Sequence, residues 1–70
     1  MQYLVVIERG PTSFGAYVPD LPGCVAAGES RQEVERLIHD AIEFHLEDLR
    51  ASGQPVPEPA SSPQLVTIDA

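Results

Sequence analysis

Pro19-Asp20-Leu21-Pro22-Gly23-Cys24, running on through Val25-Ala26-Ala27-Gly28-Glu29-Ser30 into Arg31-Gln32-Glu33, is the stretch on which the fold turns. Pro22 presets its own φ, and Gly23 takes a positive φ without steric cost, which is the pairing a type II turn requires. The chain therefore reverses here, between Phe14-Gly15-Ala16-Tyr17-Val18 on one side and Cys24-Val25-Ala26-Ala27 on the other, with Gly28 closing the second run. Both runs have strand character. Further upstream, Tyr3-Leu4-Val5-Val6-Ile7 is β-branched and aromatic, too short for a helix, and stopped by the turn residues Arg9-Gly10-Pro11-Thr12-Ser13. The reading is a three-stranded antiparallel meander.

Downstream of the turn, Ser30-Arg31-Gln32-Glu33 has the form of a capping box: the Ser30 hydroxyl accepts from the Glu33 N–H, and the Glu33 carboxylate reaches back to the Ser30 N–H. A helix starts here. Val34, Leu37, Ile38, Ala41, Ile42, His45 and Leu49 form its apolar stripe, with Phe44 at one edge and Leu46 beyond the other. At about 100° per residue, Glu33, Arg36, Asp40, Glu43 and Glu47 gather on the opposite, acidic side. Ser52-Gly53 ends the helix, Gly53 being suited to the left-handed position just past a C-terminus.

Residues 54–63 hold prolines at 55, 57, 59 and 63 and read as an extended connector. After them Gln64-Leu65-Val66-Thr67-Ile68 alternates as a final strand would, able to pair parallel to an earlier one across the helix. The expected fold is a β-β-β-α-β two-layer α+β unit, one domain over residues 1–70 with the connector inside it. One helix covers only one face of a sheet. Strand one is apolar on both, so Tyr3, Val5 and Ile7 are expected against the helix, while Leu4 and Val6 face outward as an oligomer contact. The competing expectation is that the connector folds over that outer face.

The chain's 70 residues carry four Arg, no Lys and eleven Asp or Glu, a net charge of −7. Phosphate binding needs clustered cations, so nucleic acid and anionic membrane are not expected as direct partners. With a lone cysteine, no basic leader and no long apolar run, the cytoplasm is the expected compartment.

The chemistry-bearing residues assemble no catalytic set. His39 and His45 are six apart, which on a helix puts them about 240° from each other, so they share no metal. Cys24 has no activating base, and the nearby Asp20 charge would raise its pKa; it reads as a small buried hydrophobe. Glu8 and Asp20 lack a pocket in so short a chain. Pro55-Val56-Pro57-Glu58-Pro59 lacks the usual spacing of a groove ligand, and the scattered glycines do not form a phosphate loop. No catalytic residue, cofactor or metal is expected.

Strand one leading into Glu8, Tyr17 before Val18, the Pro19-Asp20-Leu21-Pro22-Gly23-Cys24 run, Gly28 followed by an acidic residue and the Ser30 cap, and a helix ending before Gly53 with Val56-Pro57 and Pro59 together resemble the HicB-like antitoxin family. The resemblance covers residues 3 to about 60. It implies a partial ribonuclease-H-like fold without the nuclease carboxylates. It also implies a non-enzymatic protein that binds and neutralises a small basic messenger-RNA-cutting toxin of the HicA type. Many members carry a further C-terminal DNA-binding segment. Here only Asp69 and Ala70 follow Ile68, so the chain reads as a short form without promoter binding. Partner contacts are expected at Asp20, Leu21, Glu33, Asp40, Glu43 and Glu47; Pro22, Gly23, Cys24, Gly28 and Ser30 are expected to be structural. The alternative from another class is an oligomeric regulatory subunit that binds a small molecule or peptide on its sheet face.

Overall fold

The computed structural model describes residues 1–69 and contains β1 (Val6–Arg9), β2 (Phe14–Tyr17), β3 (Val25–Gly28) and α1 (Arg31–Ala51), in that order. The three strands form one antiparallel sheet in the order β1-β2-β3. Val6 pairs with Tyr17 and Arg9 with Phe14, and on the other side Tyr17 pairs with Val25 and Phe14 with Gly28. The fold is therefore the expected α+β meander followed by one helix.

The turn that decides this topology forms as its residues predict. Gly23 sits at φ +85°, and the Cys24 N–H donates to the Leu21 carbonyl at 3.1 Å. A second turn is stacked directly before it, the Leu21 N–H donating to Val18 O at 3.1 Å. Two turns back to back swing Leu21 inward, where it is 0% exposed and joins Ala16, Val18, Cys24, Val34 and Ile38 in the core. Composition predicts strand one from Tyr3, but pairing begins only at Val6. The physical reason is the partner strand: opposite Val5 the chain has reached Val18, whose N–H already donates to Cys24 O at 3.2 Å, and the next residue, Pro19, has no N–H to give.

α1 begins at the expected cap, with the Glu33 N–H donating to Ser30 Oγ at 3.1 Å. The reciprocal bond differs by one residue: the Glu33 carboxylate accepts from the Glu29 N–H at 2.8 Å instead of from Ser30. Gly28 makes room for it, since a Cβ there would come within 2.7 Å of Glu33 Oε1 and 3.2 Å of its Cγ. At the other end Gly53, at φ +73°, donates to Arg50 O at 3.2 Å, and Gln54 N–H donates to Leu49 O at 2.9 Å. This pair of bonds is the Schellman motif.

The helix lies against β3 and β2. Val34 and Ile38 are buried, and Ala41, Ile42 and Leu46 are packed against the core. Leu46, placed by periodicity outside the apolar stripe, thus belongs to the packed face, while Phe44 is 73% exposed. Tyr3, Val5 and Ile7 point to the helix side as expected.

The expected final strand does not form. Residues 64–68 form no regular secondary structure and are exposed. The preceding connector is anchored instead: the Pro57 carbonyl accepts from the Tyr3 hydroxyl, and Ala60 and Ser61 are held by Asp20. Those anchors bring the chain past the beginning of β1, beside Gln2, Tyr3 and Leu4, and Pro63 then supplies no amide to start a ladder there.

Candidate protein-binding surface

The helix sets three arginines against six carboxylates along its length. On its solvent side, Arg36 faces Asp40 at 3.9 Å, while His39 Nδ1 lies 3.2 Å from Glu43 and 3.6 Å from Asp40. Arg31 faces Glu35 at 4.0 Å. These pairs are exposed, and exposed pairs add little stability because water screens them and long side chains lose entropy in making them. Their consequence is a surface field, negative in sum. Glu47 has no cation within ion-pair distance among the described residues.

The expected contact residues do not all serve one surface. Asp40, Glu43 and Glu47 are exposed together on α1. Glu33 is half-buried, and its carboxylate is committed to the Glu29 N–H, so it caps the helix. Leu21 is a core residue and presents nothing to a partner, which corrects its expected role. Asp20 sits at the far end of the sheet, where its carboxylate accepts from the Ala60 N–H, the Ser61 N–H and the Ser61 hydroxyl, each at 2.9 Å. These bonds favour the ionised form and hold its pKa below the ordinary 3.8. Asp20 thereby fastens the connector to the sheet end.

Periodicity alone does not single out Glu35, which lines the groove between α1 and the N-terminal residues. Its signal is its spacing, four residues after Arg31 and four before His39. The groove, of about 490 Å³, has Met1, Tyr3, Val5 and Ile7 on one wall and Ile42 and Leu46 on the other. The outer sheet face carries a second feature that the sequence reading misses. Val6, Tyr17 and Val25 stand in register across all three strands, and Tyr17 and Val25 are exposed. The strand pairing set by the Pro22-Gly23 turn is the signal that joins them to Leu4 and Val6. The connector leaves Tyr17 and Val25 uncovered.

His39, Asp40 and Glu43 bring possible ligand atoms within 4.8 Å of one another. All three are exposed, with His39 Nδ1 near both carboxylates, an arrangement that surface residues a turn apart on a helix commonly adopt. The Cys24 thiol is buried, and burial raises its pKa; the cause is desolvation, where the sequence points to Asp20. The protonated thiol is a poor nucleophile.

Fold and surface together define a small acidic α+β module with an exposed acidic helix face and an apolar row on the outer sheet face. The chain belongs to the HicB-like antitoxin family: residues 3–69 match the family described as HicB_like antitoxin of bacterial toxin-antitoxin system. It is similar to a UPF0150 protein of Helicobacter pylori, with 48% identity over 46 residues, 66% of this chain and 64% of that protein. A 14.9 kDa protein from the rep-hol intergenic region of Haemophilus phage HP1 is 33% identical over 83% of this chain and 44% of its own length. The chain thus spans less than two thirds of either relative. Among solved structures, it is similar to a chain of a HicA3 and HicB3 toxin-antitoxin complex, with TM-score 0.74 and 31% identity over 87% of this chain and 71% of that one. No helix among the described residues is long and apolar enough to cross a membrane.

Proposed function

We propose that this protein is a non-enzymatic antitoxin module, a partial ribonuclease-H-like scaffold that binds and neutralises a small basic messenger-RNA-cutting toxin of the HicA type in the cytoplasm. The observation that carries the reading is the likeness to a chain of a HicA3 and HicB3 complex, joined to an exposed acidic helix face. A nuclease must be cationic to hold RNA, and complementary charge brings such a partner in quickly and selectively. Asp40, Glu43 and Glu47 carry that role; Glu33 adds charge from its capping position.

The test is affinity capture from the native lysate, followed by an RNA-cleavage assay of the captured partner. The expected result is a basic protein of similar size whose cleavage stops when this protein is added back. Recovery of a small molecule or peptide on the sheet face instead would favour the regulatory-subunit alternative. The pure protein should not retard a promoter fragment, because a net charge of −7 repels phosphate.

Self-association through the outer sheet face belongs to the same reading. Val6, Tyr17 and Val25 form an apolar row across the sheet on the face away from the helix, and such a row on a small protein is a contact surface. Val6→Glu should lower the assembly mass measured by sedimentation. An unchanged mass would remove that face from the assembly.

A further inference from the structure

We propose that His39 is a proton-controlled competitor for the acidic face of α1: uncharged, it leaves Asp40 and Glu43 open to a cationic partner, and protonated, it engages both and weakens capture. The inference deepens the antitoxin reading and rests on it for the identity of the cation that the face receives. Its structural basis is the position of His39 Nδ1, 3.2 Å from Glu43 and 3.6 Å from Asp40, with all three side chains in solvent. Imidazole is the side chain whose charge changes between about pH 5 and 8, so ordinary changes in acidity act on the face here.

The neighbours of His39 decide the sign. Within one helical turn of it stand three carboxylates, Glu35, Asp40 and Glu43, and one fixed cation, Arg36, which already faces Asp40 at 3.9 Å. Across the groove the facing groups are Met1, which carries the chain's amine, and Tyr3, whose hydroxyl is spent on the Pro57 carbonyl; Val5 and Ile7 complete that wall without charge. With a neutral imidazole the turn of helix carries a net charge of −2, and a proton on His39 halves it to −1. A neutral ring with its proton on Nε2 turns the Nδ1 lone pair toward the carboxylates and repels them. The protonated ring donates from both nitrogens, and a charge-assisted bond to a carboxylate is roughly twice as strong as a neutral one. Protonation therefore weakens the field and ties down the two carboxylates nearest to it.

Exposure keeps the device separate from folding. An exposed pair contributes little to stability, so the proton changes the charge that a partner meets and leaves the helix as it is. His45 cannot substitute for His39. It lies six residues further on, about 240° around the helix, is half-buried, and has no carboxylate within ion-pair distance among the described residues. Capture is strongest above the imidazole range and falls as pH drops through it, because a partner's arginine or lysine must then displace the imidazolium to reach Glu43.

The test compares the full chain with His39→Asn and His45→Asn. Binding of a rhodamine-labelled octa-arginine peptide at low salt, followed by anisotropy, should weaken about two- to threefold between pH 8 and pH 6 in the parent and in His45→Asn, and His39→Asn should lose most of that change. Carbon-13 spectra of the free chain should show the Asp40 and Glu43 carboxyl carbons moving with the His39 ring over the same range, and the movement should vanish in His39→Asn while its circular dichroism stays that of the parent. Carboxyl carbons that ignore the ring, or peptide binding with the same pH dependence in His39→Asn as in the parent, would overturn the proposal. Neither measurement needs a toxin, so failure to capture a basic partner counts against the antitoxin reading alone.

Discussion

Asp20 accepts hydrogen bonds from residues 40 and 41 positions further along the chain, and three donor groups converge on its one carboxylate. Since these bonds exist for the ionised form, its pKa lies below the ordinary 3.8 in the folded chain. A depressed carboxylate stabilises the fold fully above the unfolded value, and that contribution fades as pH falls through the folded one. We expect the Ala60 and Ser61 amide resonances to shift together during acidification, with a midpoint below the ordinary aspartate range, and Asp20→Ala to abolish the transition. A midpoint at the ordinary value would mean that the connector is not held there. The Pro22-Gly23 turn beside this residue is legible in the sequence because its chemistry is local. The bonds of Asp20 are not, since their donors lie forty residues away in a proline-rich stretch that shows no periodicity. Leu21 escapes for a related reason: only the stacking of two turns reveals that a turn residue faces the core.

At the scale of elements, α1 is readable almost to the residue because its periodicity, its Ser30 cap and its Gly53 stop are all encoded within a few positions of the structure they specify. Ser30→Ala removes the acceptor for the Glu33 N–H and should cost about 1 kcal/mol, a large part of the few kcal/mol such a short domain holds. Thermal unfolding checks it; an unchanged midpoint would show that the Glu33 carboxylate alone sets the helix start. The final strand is misread for the opposite reason. Alternation in residues 64–68 states that the segment suits a sheet, but not that an edge is within reach, and the anchors at Tyr3 and Asp20 that decide its path are tertiary. Strand one shows the same division. Its composition is plain, whereas its first paired residue depends on where the partner strand runs out of N–H groups.

Across the whole molecule, the imbalance of eleven carboxylates against four arginines gives a negative field, and the proposed cationic partner would sense it before contact. Composition makes that legible, and the helix period places its densest part, but only the structure separates carboxylates that hold the fold from those open to a partner. Glu33 and Asp20 hold the fold, and Asp40 is shared with Arg36 and His39. Glu43 and Glu47, one turn apart, are the pair whose removal tests attraction without touching a cap or an anchor. Their neutralisation disturbs one close side-chain approach, Glu43 to His39 at 3.2 Å, which is exposed and contributes little to stability. Steering acts on encounter, whereas dissociation is governed by buried contacts. The double variant Glu43→Gln with Glu47→Gln should therefore slow association with the captured basic partner by roughly three- to tenfold at low salt and flatten its dependence on ionic strength, leaving dissociation nearly as it was. Stopped-flow binding at several salt concentrations measures both rates. Association indifferent to salt and to the substitutions would make the acidic face solvated surface and move the recognition of the partner to the apolar sheet face.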